Sequence, residues 1–336
     1  MKIWLDVITP KQARLMVSIA KYLEERGHQT LITSKGYRET RWVLNSLGVK
    51  YREVGEYGKD LVSKLISYAD RVRELALIAY EESPDYLVSF SSPEATRVAF
   101  GLGIKVINMN DTPHAVHVAR LTFPLTWKLV FSKAIPEDLM ISLGADKESL
   151  TPYDGVDELA WLKEVEIHGE RFNEFTVFVR MEESKASYLL HLKESPNLKV
   201  IEGLVSHGIR VLVMPRYESQ AEFLRKMNVE VLEPEDTVKL FQRVHVVITG
   251  GGTMAREAAL LGTPAISTFP LDVPLYVNAY LRRKGLPIWR IRSPDDVVKK
   301  VLEIKDDYRD YRELARRVRE SMEDPREVIL RLLEEW

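Results

Sequence analysis

The sequence predicts an α/β protein made of two doubly wound, parallel-sheet, Rossmann-like domains facing a cleft. Three observations predict it. Short β-branched runs alternate with helical stretches along most of the chain, the mark of βαβ units and a parallel sheet. The alternation lapses between about Leu150 and Asn173 and then restarts. Finally, 336 residues are long for one core, so two domains are expected. Residues 1–150 form the first, 151–173 a linker, and 174–310 the second.

In the first half, Lys2 to Val7 reads as a strand ending in Asp6-Val7-Ile8-Thr9-Pro10. The helix after it carries Ala13, Met16, Val17, Ala20 and Leu23 on one face and stops at Gly27. Gln29 to Thr33 is the second strand. A helix near Tyr37 to Leu47 ends at Gly48, and Lys50 to Val54 is the third strand. Leu61 to Glu82 is a long helix in which Leu61, Leu65, Tyr68, Val72, Leu75 and Ala79 give one core-facing stripe. Tyr86 to Phe90 is a strand followed by Ser91-Ser92-Pro93-Glu94, a helix start that caps itself or holds an anion. Lys105 to Met109 is the next strand, followed by Asn110-Asp111-Thr112-Pro113-His114. Trp127 to Phe131 is the last strand of this half.

After the connector Thr151 to Leu159 the pattern resumes. Phe175 to Val179 is a strand ending in Arg180-Met181-Glu182-Glu183. Helices cover about Ser184 to His191 and Leu198 to Ser206. Arg210 to Met214 is a strand ending in Pro215-Arg216-Tyr217. A helix over Glu218 to Lys226, a strand over Val229 to Leu232 and a helix over Asp236 to Arg243 follow. Val246 to Thr249 is a strand, Gly250-Gly251-Gly252 a turn, and Thr253 to Leu261 a helix stopped by Gly262. Pro264 to Thr268 and Leu286 to Ile291 are the remaining strands, and charged helix runs from Ser293 onward.

Composition narrows the function. Hydrophobic content of 45% and charged content of 29% describe an ordinary globular protein. A net charge of −2 leaves no global footprint for nucleic acid or an anionic membrane. No apolar run is long enough to span a bilayer, and the N-terminus lacks a signal peptide's apolar stretch, so a cytoplasmic protein is expected. Cysteine is absent, which excludes disulfides, thiolate metal sites and cysteine nucleophiles. Scarce Gln with abundant Glu, Lys and Arg leans toward a thermophile.

In open α/β sheets ligands bind beyond the carboxyl ends of the strands. The polar residues there divide by type. The second half offers Gly250, Gly251, Gly252, Thr253 and Glu257, with Arg180, Arg216 and Asp272 on neighbouring strand ends. Glycine lets a backbone approach a ligand closely and takes φ > 0 freely. The turn delivers free N–H groups to a helix start, where the dipole favours an anion. Glu257, one turn further in, is placed to take sugar hydroxyls. Without a ligand, the same stretch is a tight strand-to-helix turn. Arg180 and Arg216 suit a diphosphate, or pair with Glu182 or Glu183 and with Glu218. The first half offers Asp6, Asp111 and His114 for acid/base chemistry. Asp6 ends a buried strand, where a carboxylate without a role is costly, or it caps the next turn. His114 is otherwise a plain loop histidine. Asp111, His114 and His117 make an incomplete metal set, and no metal is expected.

These motifs resemble the GT-B superfamily of nucleotide-sugar proteins. The nearest likeness is to a family of uncharacterised archaeal and bacterial proteins beside UDP-N-acetylglucosamine 2-epimerases and muramyl-precursor N-acetylglucosaminyltransferases. The resemblance covers nearly the whole chain. It rests on Met1 to Asp6, Tyr153-Asp154-Gly155, Val179-Arg180, Met214 to Tyr217 and above all Gly250 to Ile266. The epimerases carry Ser-Gly-Gly-x-x-Glu-Glu-Ala at this last segment. The resemblance therefore implies that Gly251, Gly252 and Thr253 hold phosphate and Glu257 the ribose, and that the helices over 311–336 cross back to the first domain. The chain departs from the epimerases at two places. Their Arg-Pro-Glu loop is Asp6 to Lys11 here, and their Thr-His-Arg-Arg-Glu-Asn is Val179-Arg180-Met181-Glu182, without the catalytic His.

The expectation is a GT-B glycosyltransferase-like enzyme that uses a nucleotide diphosphate sugar, UDP-type first, with no metal or other cofactor. The alternatives are a hydrolysing 2-epimerase-like enzyme and a non-catalytic nucleotide- or sugar-binding protein. Oligomeric state, base, sugar and acceptor stay open.

Overall fold

The computed structural model describes residues 1–181 and 196–335. The predicted helix over Ser184 to His191, and Glu182 and Glu183, lie outside them. The chain forms two compact units: Met1–Lys163 with Met322–Trp336, and Glu164–Ser321.

The first unit holds seven strands: β1 (Lys2–Val7), β2 (Gln29–Gly36), β3 (Arg52–Glu56), β4 (Tyr86–Ser89), β5 (Lys105–Met109), β6 (Lys128–Ser132) and β7 (Leu150–Tyr153). Its helices are α1 (Pro10–Glu24), α2 (Arg38–Ser46), α3 (Leu61–Glu82), α4 (Pro93–Gly101), α5 (Val116–Thr122), α6 (Glu137–Ser142) and α7 (Leu159–Leu162). The strands are all parallel in the order β3-β2-β1-β4-β5-β6-β7. The order reverses at β1, so the loops after β1 and β4 open on opposite sides of a switch point, where such sheets bind ligands.

The second unit holds β8 (Thr176–Arg180), β9 (Arg210–Met214), β10 (Glu230–Val231), β11 (Val246–Thr249), β12 (Ala265–Ser267) and β13 (Ile288–Arg290). Its helices are α8 (Pro196–Ser206), α9 (Glu218–Leu224), α10 (Thr237–Arg243), α11 (Thr253–Leu260), α12 (Tyr276–Arg283), α13 (Pro294–Asp306) and α14 (Arg312–Glu320). The last helix, α15 (Pro325–Glu334), belongs to the first unit. The parallel order β10-β9-β8-β11-β12-β13 is the dinucleotide-fold order with its switch at β8.

Alternation along β1 sorts its side chains onto two cores. Ile3, Leu5 and Val7 join one cluster with α1 and with Val328, Ile329, Leu332 and Leu333 of α15. Trp4 joins the other, with Leu75, Ala79 and Val98 from α3 and α4. A third cluster fills the second unit around β8, β9 and β11.

Three expectations are corrected. The chain after Leu150 is not a connector: Leu150–Tyr153 is a seventh, edge strand paired with β6, and Leu159–Leu162 is helical. Pro152 disguised it, because proline is tolerated only where a strand edge needs no further ladder bond. The charged tail is three helices, of which α14 stays with the second unit and only the chain from Met322 joins the first. The stripe on α3 is also only half core-facing. Leu75 and Ala79 are buried, whereas Leu61 and Leu65 are exposed.

Candidate functional site

At the carboxyl edge of the second sheet, the register aligns Met214, Arg180, Thr249, Ser267 and Arg290 in one row. The row is tied together from behind. Thr268 Oγ1 donates to Asn197 Oδ1 (2.9 Å) and to the Thr249 carbonyl (3.3 Å), and Asn197 Nδ2 donates to the Arg180 carbonyl (3.1 Å). The strand ends are thus held at fixed heights beneath the turn Gly250–Gly252.

The glycine turn leads into α11 with Gly252 at the N-cap and no side-chain cap. The first-turn amides of a helix have no carbonyl to bond within it, so they face outward as donors. None of the three glycines has a positive φ. The expected role of backbone freedom is therefore absent, and space is the remaining explanation. A Cβ on Gly251 would meet nothing within 4 Å, so the protein's own packing does not require glycine there. At Gly252 a Cβ would lie 2.8 Å from Arg256 Nη1 and 3.3 Å from Asn278 Oδ1.

Those two neighbours were missed by sequence reasoning. Arg256 and Asn278 are both buried. Arg256 Nη1 donates to Asn278 Oδ1 (3.2 Å), and Nη2 lies 3.4 Å from Thr253 Oγ1. A guanidinium only donates, so the atom facing it must be the amide oxygen. That leaves Asn278 Nδ2 as a buried donor without a partner among the described residues. Thr253 Oγ1 is likewise turned into an acceptor toward Arg256, freeing its own proton. The uncapped first-turn amides of α11 and the Thr253 hydroxyl are donors, which is what an anion needs, and Asn278 Nδ2 is a further donor buried beside Arg256. Glu257 is buried one turn further along α11.

Gly262 ends α11 with φ +76°, and its Cβ would lie 2.6 Å from Arg312 Cα, so here glycine is demanded by the backbone. Arg171 donates to the Gly262 carbonyl (3.1 Å), a cation at the negative end of the helix.

The two predicted arginines brace strand ends. Arg180 Nη1 donates to the carbonyls of Met214 (3.2 Å) and Pro215 (2.7 Å), and Arg216 Nε to that of Met181 (3.1 Å). Glu218, the alternative partner of Arg216, pairs with Arg225 at 2.7 Å instead. Asp272 is exposed and pairs with Arg292 at 3.3 Å.

In the first unit, Asp6 is wholly buried and is neither a cap nor open to a substrate. Arg71 Nη2 of α3 donates to its Oδ1 (2.7 Å), as does Thr33 Oγ1 (2.5 Å). Arg71 Nη1 lies 3.7 Å from Glu94, and Glu94 pairs with Lys35 at 2.8 Å. Two carboxylates and two cations thus balance under the switch point. Ser92 caps α4 through its hydroxyl, accepting from the Ala95 amide (3.4 Å), while Ser91 takes the left-handed φ of 51°. Such strain in a non-glycine residue collects at functional sites.

Asp111 also has a partner that spacing did not reveal. Lys11 of α1 bridges Asp111 Oδ2 (2.6 Å) and Asp157 Oδ2 (2.7 Å), and Tyr153 donates to Asp157 Oδ1 (2.7 Å). Burial and the adjacent carboxylates hold the Tyr153 phenol well above its usual range. Thr112 Oγ1 occupies the other Asp111 oxygen (2.6 Å). His114 is half-buried in the loop before α5, and His117 is exposed on that helix. Among the described residues no three His, Asp or Glu side chains group as metal ligands, and no helix is long and apolar enough to cross a membrane.

Comparison with known proteins agrees with this architecture. The UDP-GlcNAc 2-epimerase of Methanocaldococcus jannaschii, solved with UDP-GlcNAc and UDP, superposes over 100% of both chains with a TM-score of 0.72 at 14% identity. The spinosyn rhamnosyltransferase SpnG superposes over 99% of this chain and 100% of its own, with a TM-score of 0.65 at 14% identity. The fold is therefore GT-B. Among curated sequences, "Uncharacterized protein MJ0665" of Methanocaldococcus jannaschii is 27% identical over 295 residues, 84% of this chain and 85% of its own length. A family model described as "Protein of unknown function (DUF354)" matches residues 1–335, and the chain belongs to that family.

Proposed function

We propose that this protein is a GT-B glycosyltransferase-like enzyme that takes a nucleotide diphosphate sugar, with UDP as the first expectation and no metal. The carrying observation is the glycine turn that starts α11 without a side-chain cap. Gly251 is required neither by backbone conformation nor by packing, and Arg256 holds Asn278 and Thr253 beside the turn as donors. A diphosphate supplies the acceptors this set lacks. Glu257 takes the ribose hydroxyls. Arg180 and Arg216 add positive potential from neighbouring strand ends, so leaving-group charge is stabilised by fixed donors and cations.

In the reaction, an acceptor hydroxyl oxygen bonds to the anomeric carbon while the bond from that carbon to the diphosphate oxygen breaks. The hydroxyl proton passes to a base, and the nucleoside diphosphate leaves. His114 remains the base candidate. Asp6 and Asp111 are withdrawn from that role because their carboxylates are committed to Arg71 and to Lys11. The ligands of the structural neighbours, UDP-GlcNAc in one and thymidine diphosphate in another, are compatible with this reading.

Calorimetric titration with UDP, TDP, GDP, ADP and their sugars, in the presence of a chelator, tests it. The expected result is binding of one diphosphate series without added metal. Folded protein that gives no heat with any of them overturns the proposal.

A further inference from the structure

The long helix α3 has two apolar faces, and the first unit covers only one. Arg71, Leu75 and Ala79 point inward. On the other side Val62, Leu65, Ile66, Leu77 and Tyr80 are 69, 68, 58, 67 and 79% exposed. Ala69 and Arg73 lie between them, also exposed, and Ala76 is half-buried. Positions 62, 65, 66, 69, 73, 76, 77 and 80 advance in steps that keep them on one stripe of a helix. A run of large aliphatics left in water along one helix marks a contact surface.

The stripe is symmetric about the level of residue 71. Val62 mirrors Tyr80, Leu65 mirrors Leu77, Ile66 mirrors Ala76 and Ala69 mirrors Arg73. A two-fold axis demands this self-complementarity, since each contact must occur twice with the partners exchanged. Two copies of α3 crossing antiparallel at that level would set each large side chain against its mirror partner. Arg73 would face the small Ala69 of the other helix, beside its Asp70. Neither the Asp70 nor the Arg73 side chain makes a hydrogen bond or ion pair among the described residues, so both are available for this cross-pair. The helix has 22 residues, about 33 Å at ~1.5 Å per residue, which gives a long seam. An anionic membrane is the poorer occupant, because the exposed Asp70, Glu74 and Glu81 outnumber the exposed Lys64 and Arg73 on the same helix.

We infer that α3 is the interface of a homodimer, formed by antiparallel packing of this stripe against a second copy of the chain. Sedimentation equilibrium of the full chain tests it, with circular dichroism to confirm folding. The wild type is expected to be a dimer and Leu65→Glu/Leu77→Glu a folded monomer. Asp70→Arg and Arg73→Asp should each weaken the dimer at least about tenfold by placing like charges opposite each other. An equimolar mixture of those two variants should recover it, because each heterodimer restores both opposite-charge pairs. If the double variant fails to fold, the mixing experiment still decides. A monomeric wild type at about 100 μM overturns the proposal, since interfaces of standard size hold well below that concentration. So does a dimer that survives all the variants, or a monomer that instead floats with phosphatidylglycerol vesicles.

Discussion

Gly251→Ala separates binding from stability. The position has no positive φ, and the added Cβ would meet nothing within 4 Å. The folded protein therefore accepts the methyl without strain. The unfolded chain loses conformational freedom, so stability should stay level or rise by about 0.4–1 kcal/mol. Binding should go the other way. On the proposed function, the methyl stands where phosphate oxygens approach the first-turn amides of α11. Each charge-assisted hydrogen bond lost costs about 1.5–3 kcal/mol, which is roughly a tenfold to hundredfold weaker Kd per bond. Thermal unfolding followed by circular dichroism, paired with calorimetric titration of the nucleoside diphosphate, reads both effects. Gly262→Ala is the contrasting control. Its φ of +76° and the 2.6 Å approach to Arg312 Cα predict a marked fall in melting temperature. A Gly251→Ala protein that melts normally and binds within about twofold of wild type would refute the assignment of the diphosphate to this turn.

Three further outcomes are expected. Asn278→Asp keeps an acceptor for Arg256 but replaces the spare Nδ2 donor with a carboxylate oxygen, so diphosphate affinity should fall about tenfold or more while the melting temperature holds. Unchanged affinity would remove Asn278 from the site. Arg71→Met leaves Asp6 buried and unpaired, which should cost about 3–5 kcal/mol in urea unfolding of the first unit; a loss below about 1 kcal/mol would show the pair is not holding the switch point. His245 is lowered to about 4 by burial, with Arg171 adding to it. Its unfolded form takes up a proton first as pH falls below the ordinary value of 6.5, so its stability contribution is full above that pH and drains away down to about 4. The ring is partly exposed, and screening trims the full shift to about 1–2 kcal/mol. The wild-type minus His245→Gln difference in unfolding free energy should shrink over that window, and a flat difference would contradict the shift.

Much of the architecture was legible because it is local. Each strand, each helix and the Gly250–Gly252 turn is written in contiguous residues, and the register needs only parallel pairing. The edge strand Leu150–Tyr153 was missed because it is short and carries Pro152. The site was legible only where it too was contiguous. Gly251, Thr253 and Glu257 could be singled out as candidates, but not the groups packed beside them. Arg256 meets Asn278 across 22 residues, Arg71 meets Asp6 across 65, and Lys11 meets Asp111 and Asp157 across 100 and 146. No spacing rule reaches that far, because the folded sheet creates those distances. Asp6 illustrates the consequence. The reasoning that a buried carboxylate needs a purpose was sound, yet the purpose is a cation from a helix two strands later in the chain. On α3 periodicity alone did not separate the face turned to the sheet from the face turned to solvent, since both are apolar.

The placement of α15 bears on how the protein is made. Val328, Ile329, Leu332 and Leu333 complete the same core as Ile3, Leu5 and the inward face of α1. Lys163 reaches back to the Met322 carbonyl (2.9 Å), and the Asp154 amide bonds Glu323 (2.6 Å). The first unit to leave the ribosome is therefore the last to be finished. At about 5–20 residues per second, the whole second unit is synthesised over on the order of ten to thirty seconds while α1 waits for α15 to pack against it. A nascent chain stalled after Ser321 should bind a chaperone at the face of α1, and release of the final segment should discharge it.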